Sequence, residues 1–71
     1  MADRYVDADP DEAVTVTGVG PMTLGRAVRK HVAWRKEHGL SFVLVYRSAG
    51  KDPAMFDVAD LGRLAELDRF R

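Results

Sequence analysis

A small single-domain α+β fold, in the order β-α-β-α, is predicted by three observations. Two β-branched runs, "AVTVTGVG" and "SFVLVYRS", are of strand length and bounded by glycine, proline or serine. Between them "TLGRAVRKHVAWRKEHG" runs with helical periodicity and no breaker, and "FDVADLGRLAELDRF" closes the chain as a second helical segment. The 71 residues, 46% hydrophobic and 31% charged, are enough for one folded domain and too few for two. A chain of this length buries only about 60% of its unfolded surface, so its core is thin. The expected organisation is an acidic, mobile tail over residues 1–12 followed by one compact domain over 13–71.

The first strand is expected over Val14 to Val19, where the Gly-Val-Gly-Pro sequence stops it. Thr23 then stands where an N-cap belongs, and Gly39 where a left-handed C′ residue belongs, which sets a helix over 23–38. Ser41 to Ser48 is so continuously apolar that a central strand covered on both faces is expected. "AGKDP" is a loop. The second helix is announced by Asp57 as N-cap, by Asp60 three residues on, and by Phe56 placed to pack on Leu61. Gly62 weakens that helix by up to about 1 kcal/mol relative to alanine. A further edge strand fits Arg4 to Val6. Strands that are parallel neighbours would be joined by a right-handed crossover. A two-stranded sheet alone is marginal in water, so a sheet of two or three strands completed by a second copy, as a two-fold homodimer, is expected.

Composition excludes several classes. Cysteine is absent, which removes disulfides and thiolate metal sites. No apolar run approaches the roughly 18 residues of a membrane span, and the acidic start "MADRYVDADPDE" is the opposite of a secretory signal, so no membrane association and a cytoplasmic address are expected. Arginine outnumbers lysine eight to three, a bias of GC-rich bacterial or phage genomes.

The motifs that could carry chemistry fail on spacing. Asp7, Asp9 and Asp11 alternate like the start of a calcium loop, but Glu12 and Gly18 stand where that loop needs its glycine and its bidentate glutamate. Gly18-x-Gly20 ahead of the long helix lacks a third glycine at dinucleotide spacing, and Pro21 removes an amide donor. Gly50-Lys51 has Val45 and Asp52 where a phosphate loop needs a glycine and a hydroxyl. His31 and His38 lie seven residues apart, about 10.5 Å along a helix, too far to share a metal ion. Ser41 and Ser48 have no nucleophile-elbow sequence around them. The chain is therefore expected to be non-enzymatic and to use no cofactor.

Charge is uneven. Residues 1–12 carry five acids against Arg4, whereas residues 24–38 carry five cations against Glu37. On a helical wheel Leu24, Ala27, Val28, His31, Val32 and Trp34 share one face; Arg26, Arg29, Lys30 and Lys36 form a positive ridge on the other. That ridge makes nucleic acid a candidate partner, although the domain lacks a basic excess and aromatics interleaved on the ridge. On the second helix Val58, Leu61, Leu64 and Ala65 share a face, with Leu67 and Phe70 rotated from it by about 100° or more, a candidate contact for a protein partner. Two readings follow: a non-catalytic protein-interaction or regulatory module acting as a homodimer, or a nucleic-acid binder using the basic face of the 23–38 helix.

Overall fold

A computed structural model describes residue 5, residues 7–39 and residues 44–71. Among the described residues four short strands form one sheet: β1 (Ala13–Val16), β2 (Gly20–Thr23), β3 (Val45–Arg47) and β4 (Met55–Phe56). Helix α1 (Leu24–His38) follows β2, and α2 (Val58–Ala65) follows β4. The sheet order is β2-β1-β3-β4 and every pairing is antiparallel. Strand direction, which the sequence leaves open, is antiparallel, so the right-handed crossover that parallel neighbours would need does not arise. The single strand expected over Val14 to Val19 is in fact the first arm and the turn of a hairpin.

Glycine makes that hairpin. The Val19 N–H donates to the Val16 carbonyl at 3.0 Å, and Gly18 and Gly20 sit at φ +78° and +120°, where L side chains are strained. Pro21, expected to end a strand, lies inside β2 opposite Thr15. It is tolerated because β2 is an edge strand. With four strands from one chain, the argument that a two- or three-stranded sheet must be completed by a second copy falls away.

Period-two alternation puts Val14, Val16, Val45, Arg47 and Phe56 inward, and Ala13, Thr15, Tyr46 and Met55 outward. The helices cover only the inward face, α1 against β1 and β2 and α2 against β4. The expectation that Ser41 to Ser48 is covered on both faces is corrected for its described part, since Tyr46 is exposed; residues 41–43 lie outside the described residues. Leu24, Ala27, Val28 and His31 bury one face of α1, and Leu61 and Leu64 bury that of α2. Beyond His31 α1 outruns the core: Val32 and Trp34, expected inside, are exposed.

Both helix starts follow local chemistry. Thr23 Oγ1 accepts from the Arg26 N–H, and Gly39 closes α1 at φ +80°. Asp57 and Asp60 form a reciprocal capping box, with Phe56 and Leu61 both fully buried beside it. The second helix is shorter than its sequence pattern. After Ala65 the Leu67 N–H bonds to the Leu64 carbonyl, Leu67 turns extended, and a single 3₁₀ turn over Asp68–Phe70 follows.

The acidic segment is not a free tail where it is described. Tyr5 and Ala8 are buried, and the Tyr5 hydroxyl donates to Asp60 Oδ1 at 2.5 Å. Arg69 donates to the Ala8 carbonyl at 2.8 Å and also to the Tyr5 carbonyl. The Gly25 and Leu24 amides donate to the carbonyls of Pro10 and Glu12 at 2.8 and 2.7 Å. Tyr5 lies in a turn, and the rest of the expected 4–6 edge strand lies outside the described residues.

Arg47 fastens this segment to the sheet. Its side chain has no solvent exposure; Nε and Nη2 fork onto Glu12 at 2.8 and 2.9 Å, Nη2 also reaches Asp7 at 3.1 Å, and Nη1 donates to the Pro53 carbonyl at 3.1 Å. The guanidinium lies 4.6 Å from the Phe56 ring centroid. Hydrogen bonding from Arg47 lowers the Asp7 pKa, and Glu12 chiefly raises that of Arg47.

Two helical glycines test this packing in opposite directions. A Cβ on Gly25 would stand 3.0 to 3.3 Å from Pro10, its backbone included, whereas on Gly62 it would meet only Arg35 Nη1, at 3.9 Å. Gly25→Ala is expected to destabilise by about 1–3 kcal/mol. Gly62→Ala is expected to stabilise by about 0.4–1 kcal/mol. Urea midpoints, read at an unchanged denaturant slope, check both.

Candidate interaction surfaces

The side chains that form surfaces are positioned by three elements: the exposed side of α1, the hairpin, and the uncovered face of the sheet. On α1 the four cations singled out from the sequence, Arg26, Arg29, Lys30 and Lys36, are all exposed, and among the described residues none has a carboxylate oxygen within 4.0 Å. They share one helix but not one pocket. Arg26 and Lys30 flank an open hollow of about 660 Å³ between α1 and the hairpin, which also holds Asp11, Val14, Val19 and Met22. Lys36 lies at a smaller hollow of about 290 Å³ between α1 and α2, with His31, Arg35 and Gly62.

The α1 N-terminus is closed to an anion. Its first amides are bonded to the Glu12 and Pro10 carbonyls and to the Thr23 hydroxyl, so the glycines before it serve the hairpin. Nor do Asp7, Asp9 and Asp11 converge: Asp7 pairs with Arg47, and Asp9 accepts from the Asp11 N–H at 2.8 Å. Among the described residues no group of three or more His, Asp or Glu side chains is placed to hold a metal ion. Among them too, no helix is long and apolar enough to cross a membrane.

The apolar pair expected on the outside of the second helix faces the other way. Phe70 is 5% exposed within the core and Leu67 is half-buried against it. The wheel that placed them outward assumed about 100° per residue to the chain end. The helix stops at Ala65 instead, and the extended Leu67 and the 3₁₀ turn reset the phase.

The surface that the sequence did not single out is the open side of the sheet. Cross-strand register sets Pro21, Thr15, Tyr46 and Met55 in one row across all four strands. Tyr46 is 48% exposed and Met55 37%, side by side near the centre and edge of that face. Period-two alternation from buried Val45 was the signal available: it turns Tyr46 outward and Arg47 inward. The near-continuous apolar run around them concealed it.

Compared with protein-family models, with curated proteins and with solved structures, the chain matches none.

His31 is 1% exposed, and burial, followed by the nearby Arg35 charge, lowers its pKa. The unfolded chain, with a histidine near its ordinary value of about 6.5, binds that proton more readily than the fold. The contribution of His31 to stability is therefore expected to fall as pH drops below about 6.5 and to level off once pH passes the lower native value. An imidazole NMR titration should give His31 a midpoint below about 6.5, and a midpoint above it contradicts the argument.

Proposed function

We propose that the chain is a non-catalytic protein-interaction module, a small cytoplasmic regulator or accessory factor of a bacterial or phage system, that acts as a homodimer and receives a protein partner on its open sheet face. The observation that carries this reading is the exposed Tyr46 and Met55 pair in a row spanning the sheet. Aromatic and methionine side chains are enriched where protein interfaces are driest, and tyrosine offers a large rigid surface with a polar tip. The reading moves the partner contact from Leu67 and Phe70 to this face.

A photo-crosslinking residue replacing Tyr46 in cells that make the protein tests it. A discrete protein adduct is expected, lost about tenfold or more on Met55→Ser with the fold intact, as for truncation of an interface hot spot. No adduct above that from a control position such as Glu66 would sink the reading.

A second reading is favoured by the four exposed cations of α1, which have no carboxylate within 4.0 Å among the described residues. In it Arg26, Arg29, Lys30 and Lys36 meet phosphates. Fluorescence anisotropy of a mixed-sequence duplex and an RNA, at about 50 and 200 mM salt, discriminates. Binding that falls steeply with salt and disappears when all four become glutamine supports nucleic-acid recognition, and flat traces at both salts exclude it.

A further inference from the structure

The hollow between α1 and the hairpin carries both signs of charge beside apolar side chains. Asp11, Arg26 and Lys30 are all exposed at it, and among the described residues none of the three has an opposite charge within 4.0 Å. Buried Val14 and partly buried Met22 line the hollow, as does Val19, the most exposed of the large apolar side chains described at 60%. The adjacent helix amides are already bonded within the chain, so an occupant is recognised here by side chains.

That mixture selects among occupants. A nucleic acid or an acidic peptide would suit Arg26 and Lys30 but would be repelled by Asp11. A basic partner meets the reverse difficulty. A surface with an acid and cations side by side is complementary to itself: a two-fold rotation brings the acid of one copy to the cations of the other, and the contact repeats across the axis. The formal net charge of zero sets no general repulsion between copies. Two hairpin tips carrying Val19 add apolar area at the same place.

We propose that a second copy of this chain occupies the hollow, in a two-fold dimer in which Asp11 of each protomer pairs with Arg26 and Lys30 of the other. The assignment rests on the homodimer part of the function proposed above and leaves the Tyr46 face free for a different partner.

Charge reversal tests it. Asp11→Lys makes the hollow wholly basic, and Arg26→Glu with Lys30→Glu makes it wholly acidic. Sedimentation and light scattering at low salt should show a wild-type dimer at concentrations on the order of tens of micromolar that weakens as salt is raised. Each variant alone should dissociate with a constant raised about tenfold or more, and an equimolar mixture of the two should recover a dimer at least as tight as wild type. The milder Asp11→Asn and Lys30→Gln changes, each expected to weaken the dimer, serve if a reversed chain fails to fold. A wild-type protein that is monomeric at those concentrations overturns the homodimer reading and this assignment with it. A wild-type dimer that every substitution leaves intact overturns the assignment alone and places the dimer on another face.

Discussion

The guanidinium of Arg47 is a full charge on a side chain with no exposure, and the acidic segment, the loop before β4 and β4 are placed so that this charge has partners. Leaving a buried cation unpaired costs about 3–5 kcal/mol, a large part of the stability of so small a domain. Glu12 supplies two oxygens in the bidentate geometry that a guanidinium fits, Asp7 a third, and Pro53 a carbonyl, while Phe56 covers the plane. These partners come from the acidic segment, from the loop before β4 and from β4 itself. One side chain thus ties the acidic segment, 35 to 40 positions away, to β3 and to the loop and strand that follow it.

The consequence is a core assembled around a strap. Residues 7–12 run along the domain with their carbonyls bonded to the first amides of α1 and to Arg69, and Tyr5 reaches Asp60, which already closes the α2 capping box. Asp60 therefore orders a helix start and a long-range contact at once. Such sharing is how a chain with a thin core compensates for limited apolar burial.

What the strap uses internally it removes from the surface. The charge contrast between the acidic segment and the basic helix is reduced, because Asp7 and Glu12 answer Arg47 rather than the cations of α1. Asp11 remains outward, in the same hollow as Arg26 and Lys30. Helices on one face of the sheet leave the other to Tyr46 and Met55. Two surfaces of different character result, one lined by charges of both signs and one by an exposed tyrosine and methionine.

Features governed by a few neighbouring residues were legible in the sequence alone: the α+β class, the span of α1 with its Thr23 cap and Gly39 stop, the Asp57–Asp60 capping box, and the start of α2. The class follows from local periodicity and the helix features from hydrogen bonds closed within four residues, so residue type and spacing suffice. The hairpin lay at the limit, since its two positive-φ glycines were visible but were read as a stop. Strand direction, the inward turn of Phe70, the exposure of Trp34 and the capture of residues 7–12 were decided by the tertiary structure. Those outcomes depend on where a buried charge finds its partners and where a helix outruns its core or loses its phase, and Arg47 meets Glu12 across 35 positions of chain, a distance over which local pattern carries no information.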